Sequence, residues 1–214
     1  MIRHGQQENL KLEIAKYLKD LILIGGLTGP AKTALVYSMA SRARGPKTLL
    51  LLTSVHQHPP IAERSPENLI VNRLPNGCIC CTAVDELLQI LDEKSTDSMI
   101  GSVVVDLSDL VDIAKLLMQL KQRDIAISYK IIDPLIAIDR SCRFFKKKGE
   151  IPLINRLINA NFRYFVFSES DQKDVATDNF SYLISRVGPE NVRFMQSKWP
   201  VLSERSQLKV EAIN

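Results

Sequence analysis

Three cysteines stand within four positions, at Cys78-Ile79-Cys80-Cys81, and the fourth, Cys142, lies far along the chain. Thiolate is the metal-binding form of cysteine, and it suits soft or borderline ions. Three closely spaced sulfurs match Zn²⁺, with a water, a histidine or a partner's side chain in the fourth position. Thr82 and Asp85 have capping-box spacing, which predicts a helix starting just after Cys81. The positive end of that helix favours thiolate nearby. Two other readings stay open: cysteines packed as small hydrophobes, or a vicinal disulfide between Cys80 and Cys81. A glycine-containing turn packs three core cysteines poorly, so Cys78, Cys80 and Cys81 are taken as the metal ligands. Cys142, beside Arg140 and Arg143, reads as an isolated cysteine. His56 and His58 precede the cluster, and either could complete a Cys₃His tetrahedron. A solvated loop is the commoner explanation, and both stay outside the ligand set.

A second stretch has the spacing for phosphate chemistry. The apolar run Leu21–Ile24 leads into Gly25-Gly26-Leu27-Thr28-Gly29-Pro30-Ala31-Lys32-Thr33 and then a helical pattern. A phosphate loop reads G-x-x-x-x-G-K-[ST] between a strand and a helix. Gly26, Lys32 and Thr33 fall on that pattern, while Ala31 takes the place of the second glycine. Such a loop aims backbone N–H groups at phosphate oxygens, helped by the helix N-terminus. Pro30 has no N–H to aim, and a methyl on Ala31 is expected to stand where the backbone approaches the ligand. The loss of one charge-assisted hydrogen bond costs roughly 1.5–3 kcal/mol. A tight strand-to-helix turn with a surface lysine is the alternative on these residues alone.

Positioning both stretches requires a parallel sheet covered by helices, because short branched apolar runs alternate with longer amphipathic ones. Strands are predicted at Leu21–Ile24, Thr48–Leu52, Leu69–Arg73, Ser102–Leu107, Tyr129–Ile132, Tyr164–Phe167 and Asn191–Met195. Helices are predicted at Gln7–Leu18, Lys32–Ala43, Asp85–Glu93, Leu110–Arg123, Pro152–Asn159 and Val175–Arg186. Proline-rich Ser54–Asn68 reads as a loop. The 214 residues are expected to form one doubly wound α/β domain, with a core at about 20–195 and a tail at 196–214. With 45% hydrophobic and 24% charged residues, disorder and fibrous folds are excluded. A net charge of +4, with Lys146-Lys147-Lys148 as its one tight basic run, carries no nucleic-acid footprint. No apolar run approaches a membrane span, and the polar start Met1-Ile2-Arg3-His4-Gly5 is no signal peptide, so a soluble cytoplasmic protein is expected.

Together the two motifs resemble the CobW family of P-loop metal-handling GTPases, kin of HypB and UreG. Gly26-Leu27-Thr28-Gly29-Pro30-Ala31-Lys32-Thr33 aligns without a gap to a family loop of the form G-F-L-G-A-G-K-T. Gly77-Cys78-Ile79-Cys80-Cys81 matches the G-C-[IL]-C-C metal motif in full. The resemblance implies a P-loop NTPase-like, mostly parallel sheet flanked by helices, and a chain lacking the smaller carboxy-terminal domain of many members. It assigns Gly26, Gly29, Lys32, Thr33, Asp106 and Asp171 to a nucleotide site. The departures fall on that site. Asp106-Leu107-Ser108-Asp109 stands for E-T-S-G, and Ser168-Glu169-Ser170-Asp171 stands for N-K-x-D. Thr53-Ser54 corresponds to a family N-E pair.

The implied function is therefore metallochaperone-like binding of a divalent transition metal, zinc first, then cobalt or nickel, with Cu⁺ also suited to the thiolates. GTP or GDP with magnesium is expected to bind weakly or not at all, and hydrolysis to be weak or lost. A client protein is the expected partner, with no nucleic acid and no membrane. The alternatives are a working GTP-dependent metallochaperone and a pseudo-GTPase interaction module with structural cysteines.

Overall fold

The computed structural model describes residues 18–26, 29–43, 45–53, 67–74, 83–108, 111–123, 125–139, 158, 161–168 and 178–196. Within them the chain runs β1 (Lys19–Gly26), α1 (Pro30–Arg42), β2 (Lys47–Leu52), β3 (Leu69–Arg73), α2 (Ala83–Ser95) and β4 (Ile100–Asp106). There follow α3 (Ile113–Gln122), a short turn α4 (Ile125–Ser128), β5 (Tyr129–Ile131), β6 (Leu135–Asp139), β7 (Arg163–Ser168), α5 (Asp178–Val187) and β8 (Val192–Gln196).

The strands form a sheet of order β3-β2-β4-β1-β6-β7-β8, with β5 also pairing β1. Every pairing among the described strands is parallel. Strands buried on both faces lose the polar alternation, and β2 shows it: Thr48-Leu49-Leu50-Leu51-Leu52 is buried throughout. Side chains of period two divide between two cores. Leu21, Leu23, Leu49, Leu51, Val103 and Val105 face one way, under Leu87 and Leu91 of α2 and Leu116 and Leu120 of α3. Ile22, Ile24, Leu50, Leu52 and Val104 face the other way, under Ala31, Leu35, Val36 and Ala40 of α1. Each aliphatic side chain so buried contributes about 1.5–3 kcal/mol.

Local signals set the helix ends. Pro30 opens α1 at a position where its missing N–H costs least. Asp85 and Glu86 occupy the first turn of α2, which starts at Ala83, just past Cys81 as the capping spacing predicts. At the far end of α2, Lys19 Nζ donates to the Lys94 and Asp97 carbonyls, joining the start of β1 to the helix terminus. α3 begins at Ile113, not Leu110, because the Asp112 side chain accepts from Lys115 N at 3.0 Å and caps there.

One strand differs from expectation. Sequence reading finds Tyr129–Ile132 but not β6, Leu135–Asp139. The structure splits the stretch: β5 pairs the start of β1 (Lys19↔Tyr129), and β6 pairs its end (Gly26↔Ala137). Pro134, between the two, cannot donate to a ladder. The predicted helices Gln7–Leu18 and Pro152–Asn159 lie outside the described residues, apart from Leu18 and Ile158 at their edges. Among the described residues, no helix is long and apolar enough to cross a membrane.

Candidate functional site

β1 lies between β4 on one side and β6 on the other, so the chain's excursions to the two sides part at its carboxyl end. Open α/β sheets bind ligands outside the carboxyl ends of such strands. There β1 ends in Gly25-Gly26. Gly26 has φ +111°, and a Cβ on it would run into the Ala137 carbonyl of β6. Glycine is required here for the bend and for the close approach to the neighbouring strand, whatever binds above it. Gly29 caps α1 in extended backbone, and a Cβ added to it would meet nothing within 4 Å.

The first turn of α1 brings Lys32 over the end of β4. Lys32 is 3% exposed and Asp106 is 1% exposed, with Nζ 3.1 Å from Asp106 Oδ1. That contact is an ion pair without hydrogen-bond alignment; the ammonium donates to the Leu107 carbonyl oxygen. Leu107 N in turn donates to Ile24 O at 2.9 Å, tying the segment after β4 to β1. From β2, Thr53 donates to the Asp106 carbonyl through both its N, at 3.2 Å, and its hydroxyl. Leu74 N donates to Leu52 O at 3.0 Å, fixing the exit of β3. The carboxyl ends of β1 to β4 are thus stitched together beyond their ladders, around one buried ion pair. Removing one partner of such a pair costs about 3–5 kcal/mol.

Tyr37, five residues further along α1, is half-buried beside this cluster. Burial pushes its phenol up to about 12, with Arg73 pulling it down and Asp106 pushing it up.

In the first turn of α1 several polar groups are absent or already bonded within the chain. Pro30 offers no N–H, and Thr33 N already donates to Gly29 O at 3.1 Å. The Thr33 hydroxyl, the group that a phosphate loop turns toward magnesium, donates to the same carbonyl at 3.2 Å. What remains for an anion is the helix N-terminus, with the main-chain N–H groups of Ala31 and Lys32, and the Lys32 ammonium, which is engaged below. Ala31 differs from its sequence reading. It is 1% exposed and belongs to the core under α1, so its methyl is turned into the sheet and does not stand over the ligand position.

Gly26, Gly29, Lys32, Thr33 and Asp106 are therefore gathered at one edge. Asp171 lies outside the described residues, although β7 ends at that edge with Ser168. Cys78, Cys80 and Cys81 also lie outside them, as do Cys142, His56, His58 and Asp109. The described ends of the cysteine segment are Leu74, after β3, and Ala83, the first residue of α2. Among the described residues no group of three His, Cys, Asp or Glu could hold a metal. Sequence reasoning did not find the Leu107 carbonyl as a lysine partner. A main-chain oxygen carries no residue-type signal.

A parallel sheet with a strand, glycine turn, helix N-terminus and lysine at its switch point defines a P-loop NTPase-like nucleotide-binding domain. The family model "CobW/HypB/UreG, nucleotide-binding domain" matches residues 20–160, and the chain belongs to that family. Among solved structures it is similar to a Zn(II)-bound triple mutant of the YjiA GTPase, at 14% identity and TM-score 0.54, covering 85% of this chain and 58% of that one. It is also similar to the Zn(II)-bound YjiA GTPase from E. coli, at 13% identity and TM-score 0.51, covering 89% and 60%. The chain thus spans about three fifths of the length of these structures, and at such identities the likeness speaks for the fold. No curated protein sequence matches significantly.

Proposed function

We propose that the chain is a metallochaperone-like member of its family, whose 214 residues form one G-domain unit. It binds a divalent transition metal through Cys78, Cys80 and Cys81, with nucleotide turnover weak or lost. The observation that carries this reading is an asymmetry. The G-C-I-C-C motif is complete in sequence, whereas the first turn of α1 has lost an amide to Pro30 and has its lysine paired with Asp106. Phosphoryl transfer rests on positioning and charge stabilisation, and both are reduced here. Zinc is the best match to three thiolates, with cobalt or nickel next. An exchangeable fourth position suits a carrier that must release its cargo to a client protein. That Zn(II) is bound in both YjiA structures supports a metal role in this fold.

The test is metal and nucleotide quantified on one sample purified without chelator. About one equivalent of zinc is expected, with sulfur distances near 2.3 Å by X-ray absorption, and little GTP or GDP. Cys80→Ser should lower zinc far more than Cys142→Ser. Metal should leave as pH falls, since protons compete for the sulfurs. Unchanged stoichiometry in all three of Cys78→Ser, Cys80→Ser and Cys81→Ser would turn the reading toward an interaction module. Steady-state GTP hydrolysis abolished by Lys32→Ala would turn it toward a working GTPase.

A further inference from the structure

The lysine of a phosphate loop serves a ligand only if its ammonium can leave the protein interior. Lys32 is held there from two sides, by the Asp106 carboxylate at 3.1 Å and by the Leu107 carbonyl. Neither holder is loose. Asp106 is 1% exposed, and its own carbonyl accepts two hydrogen bonds from Thr53 of the β2 end. Leu107 is fully buried and bonded to Ile24 of β1. At 3% exposure, the ammonium cannot meet a ligand arriving from solvent without giving up these contacts.

We infer that the Lys32–Asp106–Leu107 contact is an autoinhibitory latch that withholds the loop's cation from polyphosphates. The inference rests on the reading of Gly26–Thr33 as a degenerate phosphate loop, and it names what keeps the affinity low. It also reverses the sign expected of Asp106. A carboxylate that recruits magnesium to a nucleotide would weaken binding when removed, whereas a latch carboxylate strengthens binding when removed.

The probe is inorganic pyrophosphate, titrated calorimetrically into the full chain in magnesium-free buffer. Asp106→Asn should tighten binding about tenfold to a hundredfold, the worth of one charge-assisted hydrogen bond regained by the ligand. Relief of simple charge repulsion would also tighten it, so the substitution is repeated in a Lys32→Met background. There the gain should shrink to about threefold or less, because the pair no longer exists to be broken. Unchanged or weaker binding in Asp106→Asn overturns the latch, as does an equal gain in both backgrounds. Should either variant fail to fold by circular dichroism, the unaltered protein decides by competitive labelling with acetic anhydride. Lys32 should acylate at least about tenfold more slowly than exposed Lys115, and equal rates overturn the proposal. Zinc content and GTP turnover are not read here, so failure of the latch leaves the metal reading standing and the reverse.

Discussion

Ala31 and Pro30 replace neighbouring residues of one loop, yet they act on different things. The Ala31 methyl packs into the core below α1, whereas Pro30 removes a donor from the ligand side. Ala31→Gly would complete the loop consensus. It should nevertheless leave GTP turnover unchanged and cost about 1–2 kcal/mol, from helix propensity plus a buried methyl. Urea midpoints and a phosphate-release assay check the two halves. Much of this cluster was legible: Gly26 and Lys32 fall on the phosphate-loop spacing, Asp106 follows from the family resemblance, and the fold does bring the three together. The direction of the Ala31 side chain was not legible, because a motif fixes the register of a loop and leaves open which face of the following helix meets the sheet. The Leu107 carbonyl escaped for a similar reason, since its role depends on backbone direction after β4 and on no side chain.

At the scale of elements, Gly26 is where strand and site depend on each other. Its φ of +111° and the Ala137 carbonyl beside it make Gly26→Ala costly. At least about 1–3 kcal/mol should be lost from conformation alone, before any repacking of β6. Denaturant unfolding measures this, and the loss should appear equally with and without phosphate, because β6 imposes the constraint. Most strands were legible because parallel pairing buries both faces and leaves continuous runs such as Leu49–Leu52. β6 was not. Its five residues follow Pro134 after a gap of three from β5, and two short strands sharing one neighbour look in sequence like one strand and a loop. The start of α3 slipped for a different reason: Asp112, whose side chain caps the helix, stands inside the stretch whose apolar pattern reads as helical from Leu110.

Across the whole molecule, alkaline pH should erode stability through buried phenols. Burial raises Tyr37 to about 12 and Tyr129 further; Asp92 adds to the rise of Tyr129, whose hydroxyl donates to Leu91 O at 2.7 Å. Unfolded phenols titrate near 10. The folded state therefore holds more protons above that value, and its stability is full below about pH 10 and lost as pH climbs through the folded values. Lys19, lowered by burial against the opposing pull of Asp97, acts with the other sign between its lowered value and 10.5. Urea midpoints should fall above about pH 10, and Tyr37→Phe should fall less steeply. Superimposable curves for the two proteins would show that Tyr37 takes no part. The strand order has a separate consequence, for biosynthesis. The central strand β1 is made long before either flank of its ladder, since Ile24 pairs with Asp106 and Gly26 with Ala137. At translation rates of about 5–20 residues per second, the eighty or so residues to β4 take roughly 4–16 seconds. Throughout that interval Leu21-Ile22-Leu23-Ile24 has no native strand to pair with. On the ribosome this apolar tetrad is the segment that a nascent-chain holdase would cover.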